Sequence, residues 1–305
     1  MDYDAIIVGG GAAGLAAGTD LARAQRRVLL LDKECFGGQA MNVESIEDYP
    51  APGEKVSGHA LASQMVAEAE KSGVRMELGE VAEIESYSGC KAVRCADGKT
   101  LTSSVVILAG GLHPKTLGVP GEVELQGRGM IHCAVCDAGL YAGENVAVCG
   151  GGDAAVIEAL YLAKFAAKVI VIETQAELSA APRLREQARA NSKLEIRCGQ
   201  KVLEISGDRA VSGVQVQDIA TGRSEILEVS GVLARVGFEP ATDYLQDLLP
   251  LDEQGWIAAN EAMETAIPGI FAAGDVRSGS PRRVAAAVSD GKKAAASAER
   301  ILKPG

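Results

Sequence analysis

The sequence predicts an α/β fold with two Rossmann-like domains. Two observations carry this prediction. A pattern of apolar strand, glycine-rich turn, helix, apolar strand and terminal acid occurs twice in the 305 residues. A further apolar segment at 265–275 ends in Gly-Asp, and a helical pattern follows it at 283–302.

The first copy of the pattern begins with a predicted strand at 5–8. Residues 9–14 (GGGAAG) predict a tight turn into a helix, and residues 27–31 predict a strand that ends at Asp32. In such a unit the first glycine makes the turn and the second lets a pyrophosphate approach the backbone. The third lets the helix pack on the strand. The acid accepts a hydrogen bond from a ribose, so the copy predicts a dinucleotide site.

The second copy has the same order, with a strand at 145–149, a turn at 150–155 (GGGDAA) and a strand ending at Glu173. The acid follows the third small residue of the turn by 18 positions in both copies, from Gly14 to Asp32 and from 155 to 173. A single glycine turn could be purely structural. Two copies in the same frame and at equal spacing favour nucleotide binding.

Composition excludes several other classes of function. The chain has 30 Lys and Arg against 41 Asp and Glu, a net charge of −11, which disfavours nucleic acid and anionic lipid as partners. The acidic start lacks the basic region of a signal peptide, and no apolar run approaches the ~20 residues of a membrane span. An odd number of cysteines, seven, argues against a disulfide scaffold. We therefore expect a cytoplasmic protein.

A pair of cysteines, Cys133 and Cys136, is separated by two residues. This spacing lets two sulfurs meet within one turn and form a disulfide that exchanges readily. A zinc half-site and two inert buried cysteines are the alternatives. Zinc would need a second Cys or His pair, and the three histidines do not have such spacing. No metal is expected.

The segment at 265–275 resembles the Ala-Gly-Asp segment of two-dinucleotide flavoprotein disulfide reductases, in which the Asp binds the flavin ribityl chain. The resemblance implies that the second domain is inserted into the first. Residues 1–112 and 241–305 would form an FAD-binding domain, interrupted by an NAD(P)H-binding domain at 113–240 that carries the cysteine pair. The joints between them are rich in Gly and Pro.

The position of the cysteine pair in the chain distinguishes between families of flavoprotein disulfide reductases. It lies 14 residues before Gly150, inside the inserted domain, whereas glutathione-reductase-like relatives carry redox cysteines after the first unit. The chain resembles low-molecular-weight thioredoxin reductases over essentially its full length. The matching segments are 37–39 (GGQ), 47–50 (EDYP), 118–122 (GVPGE), 133–137 (CAVCD), 150–155 (GGGDAA) and 271–275 (FAAGD).

This resemblance implies a reaction sequence. Reduced nicotinamide passes a hydride to FAD, the flavin reduces the Cys133–Cys136 disulfide, and the dithiol reduces the disulfide of a thioredoxin-like protein or a small molecule. By analogy Cys136 faces the flavin, Cys133 is the more exposed of the two, and Asp137 is the general acid or base. The inserted domain rotates on its joints, and the protein is a homodimer.

The resemblance also implies the cofactor contacts. For FAD they are Gly9, Gly11, Ala13, Gly14, Asp32, Lys33, Gly38, Gln39, Asp48, Val81, Ala109, Gly110, Gly274, Asp275, Arg282, Arg283 and Val284. For the nicotinamide nucleotide they are Gly150, Gly152, Asp153, Ala154, Ala155 and Glu173.

Two departures from the family bear on the electron donor. Members that use NADPH carry arginines after the second unit's acid, whereas residues 173–179 (ETQAELS) contain no Arg or Lys. We expect NADH to be favoured over NADPH, unless Arg183 or Arg185 reaches the phosphate. Arg283 stands where the family has Gln; it either raises the flavin potential or points to solvent.

A third departure puts thioredoxin itself in doubt as the partner. Ala138, Gly139 and Leu140 follow the cysteine motif where the family has Gly and two aromatics. The missing phosphate-binding arginines and Arg283 also keep two alternative functions open. One is a dithiol oxidase that forms a disulfide with O2 as acceptor; the other is a ferredoxin-fed flavin disulfide reductase that does not use NAD(P)H.

His132 lies next to Cys133 in the sequence. It either activates a thiolate or is a packed neighbour.

Overall fold

The computed structural model describes residues 1–47, 49, 55–245 and 248–303. The chain divides into two compact units, of which the first comprises Met1–His113 and Glu239–Gly305 and the second Pro114–Phe238. These boundaries differ by one or two residues from the joints expected from the sequence.

The strands, in chain order, are β1 (Tyr3–Val8), β2 (Val28–Asp32), β3 (Arg75–Leu78), β4 (Val81–Tyr87), β5 (Cys90–Cys95), β6 (Thr100–Leu108), β7 (Leu112–Pro114), β8 (Met130–Ile131), β9 (Asn145–Cys149), β10 (Lys168–Glu173), β11 (Leu194–Cys198), β12 (Gln200–Ser206), β13 (Gly213–Asp218), β14 (Ser224–Glu228), β15 (Gly231–Ala234), β16 (Phe238–Pro240) and β17 (Ile270–Ala272). The α-helices are α1 (Ala12–Arg23), α2 (Gly58–Ser72), α3 (Ala134–Asp137), α4 (Asp153–Leu162), α5 (Pro182–Ala190) and α6 (Val284–Leu302).

The first unit is built on a sheet that, in the described residues, has seven strands in the order β3-β2-β1-β6-β5-β4, with β17 beside the end of β6. Strand β1 lies parallel to both β2 and β6. Ile6 and Ile7 are both fully buried but belong to different apolar clusters, because successive side chains of a strand point to opposite faces. The carboxyl ends of these parallel strands place the first glycine turn and Asp32 at one edge.

Helices α1 and α6 pack closely in the first unit because two glycines remove side chains between them. A Cβ atom on Gly291 would lie 2.1 Å from the Ala13 carbonyl oxygen, and one on Gly274 would lie 2.9 Å from the Ala13 Cβ. The packing brings the Gly274–Asp275 segment against the start of α1, beside the first glycine turn.

The second unit contains, within the described residues, a parallel five-stranded sheet in the order β11-β10-β9-β15-β8 and an antiparallel sheet of β12, β13 and β14. The two segments that connect the units, β7 and β16, pair with each other. Together with the parallel strands β3, β2, β1, β6 and β17 of the first unit, this arrangement confirms the predicted α/β fold with two Rossmann-like domains. In the described ranges, no helix combines the length and apolar character needed to cross a membrane.

Candidate active site

The first glycine turn joins β1 to α1 with very little space between them. A Cβ on Gly9 would lie 2.2 Å from the Ala109 carbonyl oxygen, and one on Gly14 would lie 1.9 Å from the Gly9 carbonyl oxygen. Gly11, the residue before α1, differs because its Cβ would meet nothing nearer than the Gly38 Cα at 3.8 Å. No side chain caps this helix N-terminus, so its N–H groups face space in which an anion fits.

Asp32 is fixed at the end of β2 beside this turn. Its Oδ2 atom accepts a hydrogen bond from the Gly10 N–H at 2.7 Å, and its Oδ1 atom accepts from the backbone of residues 34 and 35 at 2.9 and 3.1 Å. Lys33 is exposed. The structure thus brings the acid and the turn together, while Gly38 and Gln39 begin a short 3₁₀ segment against Gly11.

Tyr244, which sequence reasoning missed, lies near Gly110, just beyond the end of β6. The hydroxyl of Tyr244 is buried without a hydrogen-bond partner among the described residues, and a Cβ on Gly110 would lie 3.5 Å from it. A buried hydroxyl without a partner is costly in an isolated protein, which indicates a ligand group nearby. Val81 is a buried core residue at the start of β4. Asp48 lies outside the described residues.

The C-terminal segment adds a polar wall. The Ser280 hydroxyl donates a hydrogen bond of 2.6 Å to Asp275, and burial raises the pKa of that carboxyl. Arg282 has a φ of 54°, which is unusual for a residue with a side chain, and its guanidinium lies 5.0 Å from the centre of the Trp256 ring. These side chains line a cavity of about 190 Å³.

Arg283 and Val284 stand at the start of α6. Arg283 is the residue before the helix and its side chain is exposed, while Val284 is half-buried as the first helical residue. The Arg283 side chain is therefore solvent-exposed, and its contact with the flavin stays a prediction.

The second glycine turn repeats the geometry of the first. A Cβ on Gly150 would lie 2.2 Å from the Arg235 carbonyl oxygen, and Ala155 packs fully buried where the first turn has its third glycine. Gly152 precedes α4 without a side-chain cap, and its Cβ would meet only the Ser179 Oγ at 3.8 Å. Asp153 accepts a hydrogen bond of 2.7 Å from the backbone N–H of residue 181, and Ala154 is half-buried beside it.

Glu173 is buried at the end of β10 and lies over this turn. A Cβ on Gly151 would be 2.3 Å from its Oε2 atom, while its Oε1 atom accepts hydrogen bonds from Gln175 N–H at 2.8 Å and from the Thr174 hydroxyl at 3.0 Å. Glu173 is therefore held as Asp32 is held in the first unit. Arg185 is 3.2 Å from Glu177, with which it forms an ion pair.

The cysteine pair forms a disulfide at the start of α3 in the second unit. Cys133 precedes the helix, and its sulfur accepts from the Cys136 N–H at 3.0 Å. The Asp137 carboxylate accepts a hydrogen bond of 3.4 Å from the Cys133 N–H. The Asp137 side chain therefore folds back onto the backbone of Cys133, four residues earlier.

The expectation that Cys133 is the more exposed sulfur-bearing residue is wrong. Cys133 is only 7% exposed, whereas Cys136 is exposed. Cys133 comes two residues after the buried strand β8, and its side chain is buried. Cys136 lies one turn later, at the surface of α3. A third thiol, Cys149, is free and buried at the end of β9, where burial raises its pKa to about 12 and makes it unreactive.

Two other residues that sequence reasoning missed, Glu158 and Arg235, form an ion pair of 2.6 Å behind the cysteine motif. Their signal in the sequence is a charge at an apolar position: Arg235 directly follows the strand β15, and Glu158 lies in the mostly apolar helix α4. Buried charges of this kind require a partner.

Two glycine turns, each with an acid at the end of the following strand, and a Cys-x-x-Cys disulfide in the second unit are typical of a flavoprotein disulfide oxidoreductase with two dinucleotide-binding units. The sequence profile of the family described as pyridine nucleotide-disulphide oxidoreductase matches residues 3–291. The thioredoxin reductase of Bacillus subtilis (strain 168) is 36% identical over 302 residues, which are 99% of this chain and 95% of that protein.

Solved structures agree with this match. The thioredoxin reductase of Lactococcus lactis is 35% identical with a TM-score of 0.88, over 98% of this chain and 99% of that chain. The thioredoxin reductase of T. acidophilum is 33% identical with a TM-score of 0.87, over 98% of each chain. The chain belongs to the pyridine nucleotide-disulphide oxidoreductases and, among them, groups with the low-molecular-weight thioredoxin reductases. It is an FAD-dependent disulfide oxidoreductase.

Substitutions at two glycines of the first turn should separate an effect on protein stability from an effect on FAD binding. Gly14→Ala forces its Cβ into the Gly9 carbonyl and is expected to destabilise the protein without FAD by about 1–3 kcal/mol. Gly11→Ala meets no protein atom nearer than 3.8 Å, so it should cost only the ~0.5–1 kcal/mol by which alanine is a poorer residue than glycine before a helix, yet weaken FAD binding roughly tenfold. Thermal unfolding of the apoprotein and fluorescence titration with FAD measure the two effects. Unchanged FAD affinity in Gly11→Ala contradicts the assignment.

Proposed function

We propose that this enzyme takes electrons from NADH and delivers them through FAD and the Cys133–Cys136 disulfide to a thioredoxin-like protein or a small disulfide. The observation that carries the proposal is the disulfide itself, which lies in the unit that also holds the second glycine turn and is exposed at Cys136. We further propose that the protein works in the cytoplasm as a homodimer.

The first unit supplies the residues that would hold FAD. The uncapped N-terminus of α1 and the space beside Gly11 suit a pyrophosphate, and Asp32 suits a ribose. Asp275 and the hydroxyl of Tyr244 are polar groups available for the rest of the cofactor. When bound, FAD accepts a hydride from a nicotinamide and supplies an electron pair to a disulfide.

The second unit supplies a nicotinamide site whose charge favours NADH. The N-terminus of α4 suits the pyrophosphate, and the Glu173 carboxylate can accept hydrogen bonds from a ribose with both hydroxyls free. A 2′-phosphate at the same place would be repelled by Glu173. Arg185 is engaged by Glu177, which supports this preference.

Reduction of the disulfide releases two sulfurs and requires protons. The Asp137 carboxylate lies against the backbone N–H of Cys133, so it stands next to both cysteines and can give or take the proton. Cys136 is the sulfur open to approach. We assign Asp137 the role of general acid or base for the thiol proton.

The acceptor is proposed from the relatives, which are named thioredoxin reductases. Leu140, four residues after the exposed cysteine, is 79% exposed and offers an apolar contact to a docked protein. Gly139 beside it is exposed and has no side chain, which leaves room for a partner that differs from the usual one. A recombinant thioredoxin and small disulfides such as oxidised glutathione are the candidates to compare.

The electron donor is tested by anaerobic mixing. We expect NADH to bleach the flavin absorbance of the purified protein much faster than NADPH. Bleaching by a dithiol alone, or by reduced ferredoxin alone, would instead favour a dithiol oxidase or a ferredoxin-fed reductase. Clear preference for NADPH would refute the argument from Glu173.

A further inference from the structure

A buried ion pair lies in the second unit and belongs to neither glycine turn. The Arg235 side chain is 4% exposed and that of Glu158 is 13% exposed. The two are joined by two hydrogen bonds, from Arg235 Nε at 2.6 Å and from Nη2 at 3.0 Å. Such a bidentate pair is rigid, and removing one partner leaves a buried charge uncompensated.

Both members of this pair also hold the backbone on either side of Cys133. Arg235 Nη2 donates a hydrogen bond of 2.6 Å to the His132 carbonyl, and Glu158 Oε2 accepts one of 3.4 Å from the Ala134 N–H. His132 and Ala134 are the immediate neighbours of Cys133. The pair therefore contacts the redox loop before and after the buried cysteine.

The placement of charge at this loop is asymmetric. The Glu158 carboxylate accepts from the N–H of Ala134, the residue that follows Cys133, and its negative charge there disfavours a thiolate on Cys133. The Arg235 guanidinium offsets that negative charge. The other ionisable side chains of the loop are His132, which is exposed, and Asp137.

We propose that Arg235 and Glu158 are positioning residues that set the stability of the Cys133 thiolate, and through it the reduction potential of the Cys133–Cys136 disulfide. The proposal rests on the redox role of this disulfide given above. A more stable thiolate favours the reduced form and gives a more oxidising disulfide. Loss of Arg235 and loss of Glu158 must therefore act in opposite directions.

The experiment equilibrates the FAD-loaded full-length protein with dithiothreitol buffers. The S–S bond between residues 133 and 136 breaks as it gains an electron pair, with one proton taken up where Cys133 stays a thiolate and two where it does not. Dithiothreitol loses the electron pair and two protons and closes to its cyclic disulfide, and any proton left over goes to the buffer. Alkylation followed by mass spectrometry then gives the reduced fraction. Because neither a nicotinamide nor a partner protein is needed, a wrong donor or acceptor in the proposed function leaves this measurement intact.

Arg235→Met is expected to shift the equilibrium about tenfold towards the disulfide, equivalent to a potential about 30 mV more negative. Glu158→Gln is expected to shift it in the opposite direction, and the double variant should return close to the unsubstituted protein. Arg235→Lys, which keeps the charge, should retain most of the original potential. Arg197→Met is the matched control in the same unit. Arg197 forms an ion pair of 2.7 Å with Glu225 and makes no hydrogen bond to the described residues of the cysteine loop, so this variant should leave the potential unchanged.

A purely structural role makes a different prediction. Loosening of the loop would move both single variants in the same direction, and the double variant would be the most perturbed. That result, or the absence of any shift in folded Arg235→Met and Glu158→Gln proteins, overturns the proposal. If Arg235→Met does not fold, Glu158→Gln and Arg235→Lys decide it: a shift of Glu158→Gln towards the disulfide, or a shift of Arg235→Lys as large as that of Glu158→Gln, overturns the proposal.

Discussion

Cys136→Ser is expected to abolish disulfide reductase turnover, by a factor on the order of 10³ or more, because a serine hydroxyl can neither form the disulfide nor leave as a thiolate. The substitution removes one sulfur at the exposed position of α3, so folding should be unaffected. The variant should remain yellow and should still be bleached by NADH. Turnover is measured with NADH and a recombinant thioredoxin or oxidised glutathione.

Cys149→Ser is the matched control for this substitution. Cys149 is a free, buried thiol in the same unit, and its raised pKa keeps it out of the chemistry, so turnover per folded molecule should be preserved. Substantial residual turnover in Cys136→Ser would mean that electrons leave the protein by a route other than this disulfide.

Glu173→Gln is expected to lower the preference for NADH over NADPH. For the unsubstituted enzyme we expect this preference to be on the order of 10²-fold in kcat/KM. Two unit charges ~4 Å apart at an effective dielectric constant of ~20 repel by about 4 kcal/mol, and solvent screening reduces this to a preference of that size. Glutamine has the same shape but no charge. We expect the preference to fall at least about tenfold, partly because NADH loses an acceptor for its ribose hydroxyls.

Steady-state kinetics with both nucleotides check this prediction. Glu177→Gln serves as the control, since Glu177 is an exposed carboxylate on the same segment and pairs with Arg185. A larger effect in Glu177→Gln than in Glu173→Gln would show that release of Arg185, and not the charge of Glu173, governs nucleotide choice.

The parts of the site that could be predicted from the sequence are those encoded by local patterns. A glycine turn and the acid 18 residues later belong to one βαβ unit, so the chain's own spacing is enough to place Asp32 and Glu173 beside their turns. The Cys133–Cys136 disulfide likewise depends on one helical turn.

Other features depend on packing between distant segments. Arg235 and Glu158 are 77 residues apart in the chain and meet only when β15 and α4 pack together. The Tyr244 hydroxyl lies near Gly110 across a still longer separation in the chain. The burial of Cys133 and the exposure of Cys136 depend on how this segment packs in the second unit, which the spacing of the two cysteines does not signal. Local patterns therefore predict the candidate reacting groups but not the residues that pack against them.

The central claim is that flavin and the Cys133–Cys136 disulfide hold electrons in the same molecule and exchange them. Anaerobic titration with dithionite, followed by flavin absorbance, measures this directly. The unsubstituted protein is expected to take up two electron pairs per FAD, one in the flavin and one in the disulfide, and Cys136→Ser only one. Uptake of a single pair by the unsubstituted protein, or of two by Cys136→Ser, would contradict the account.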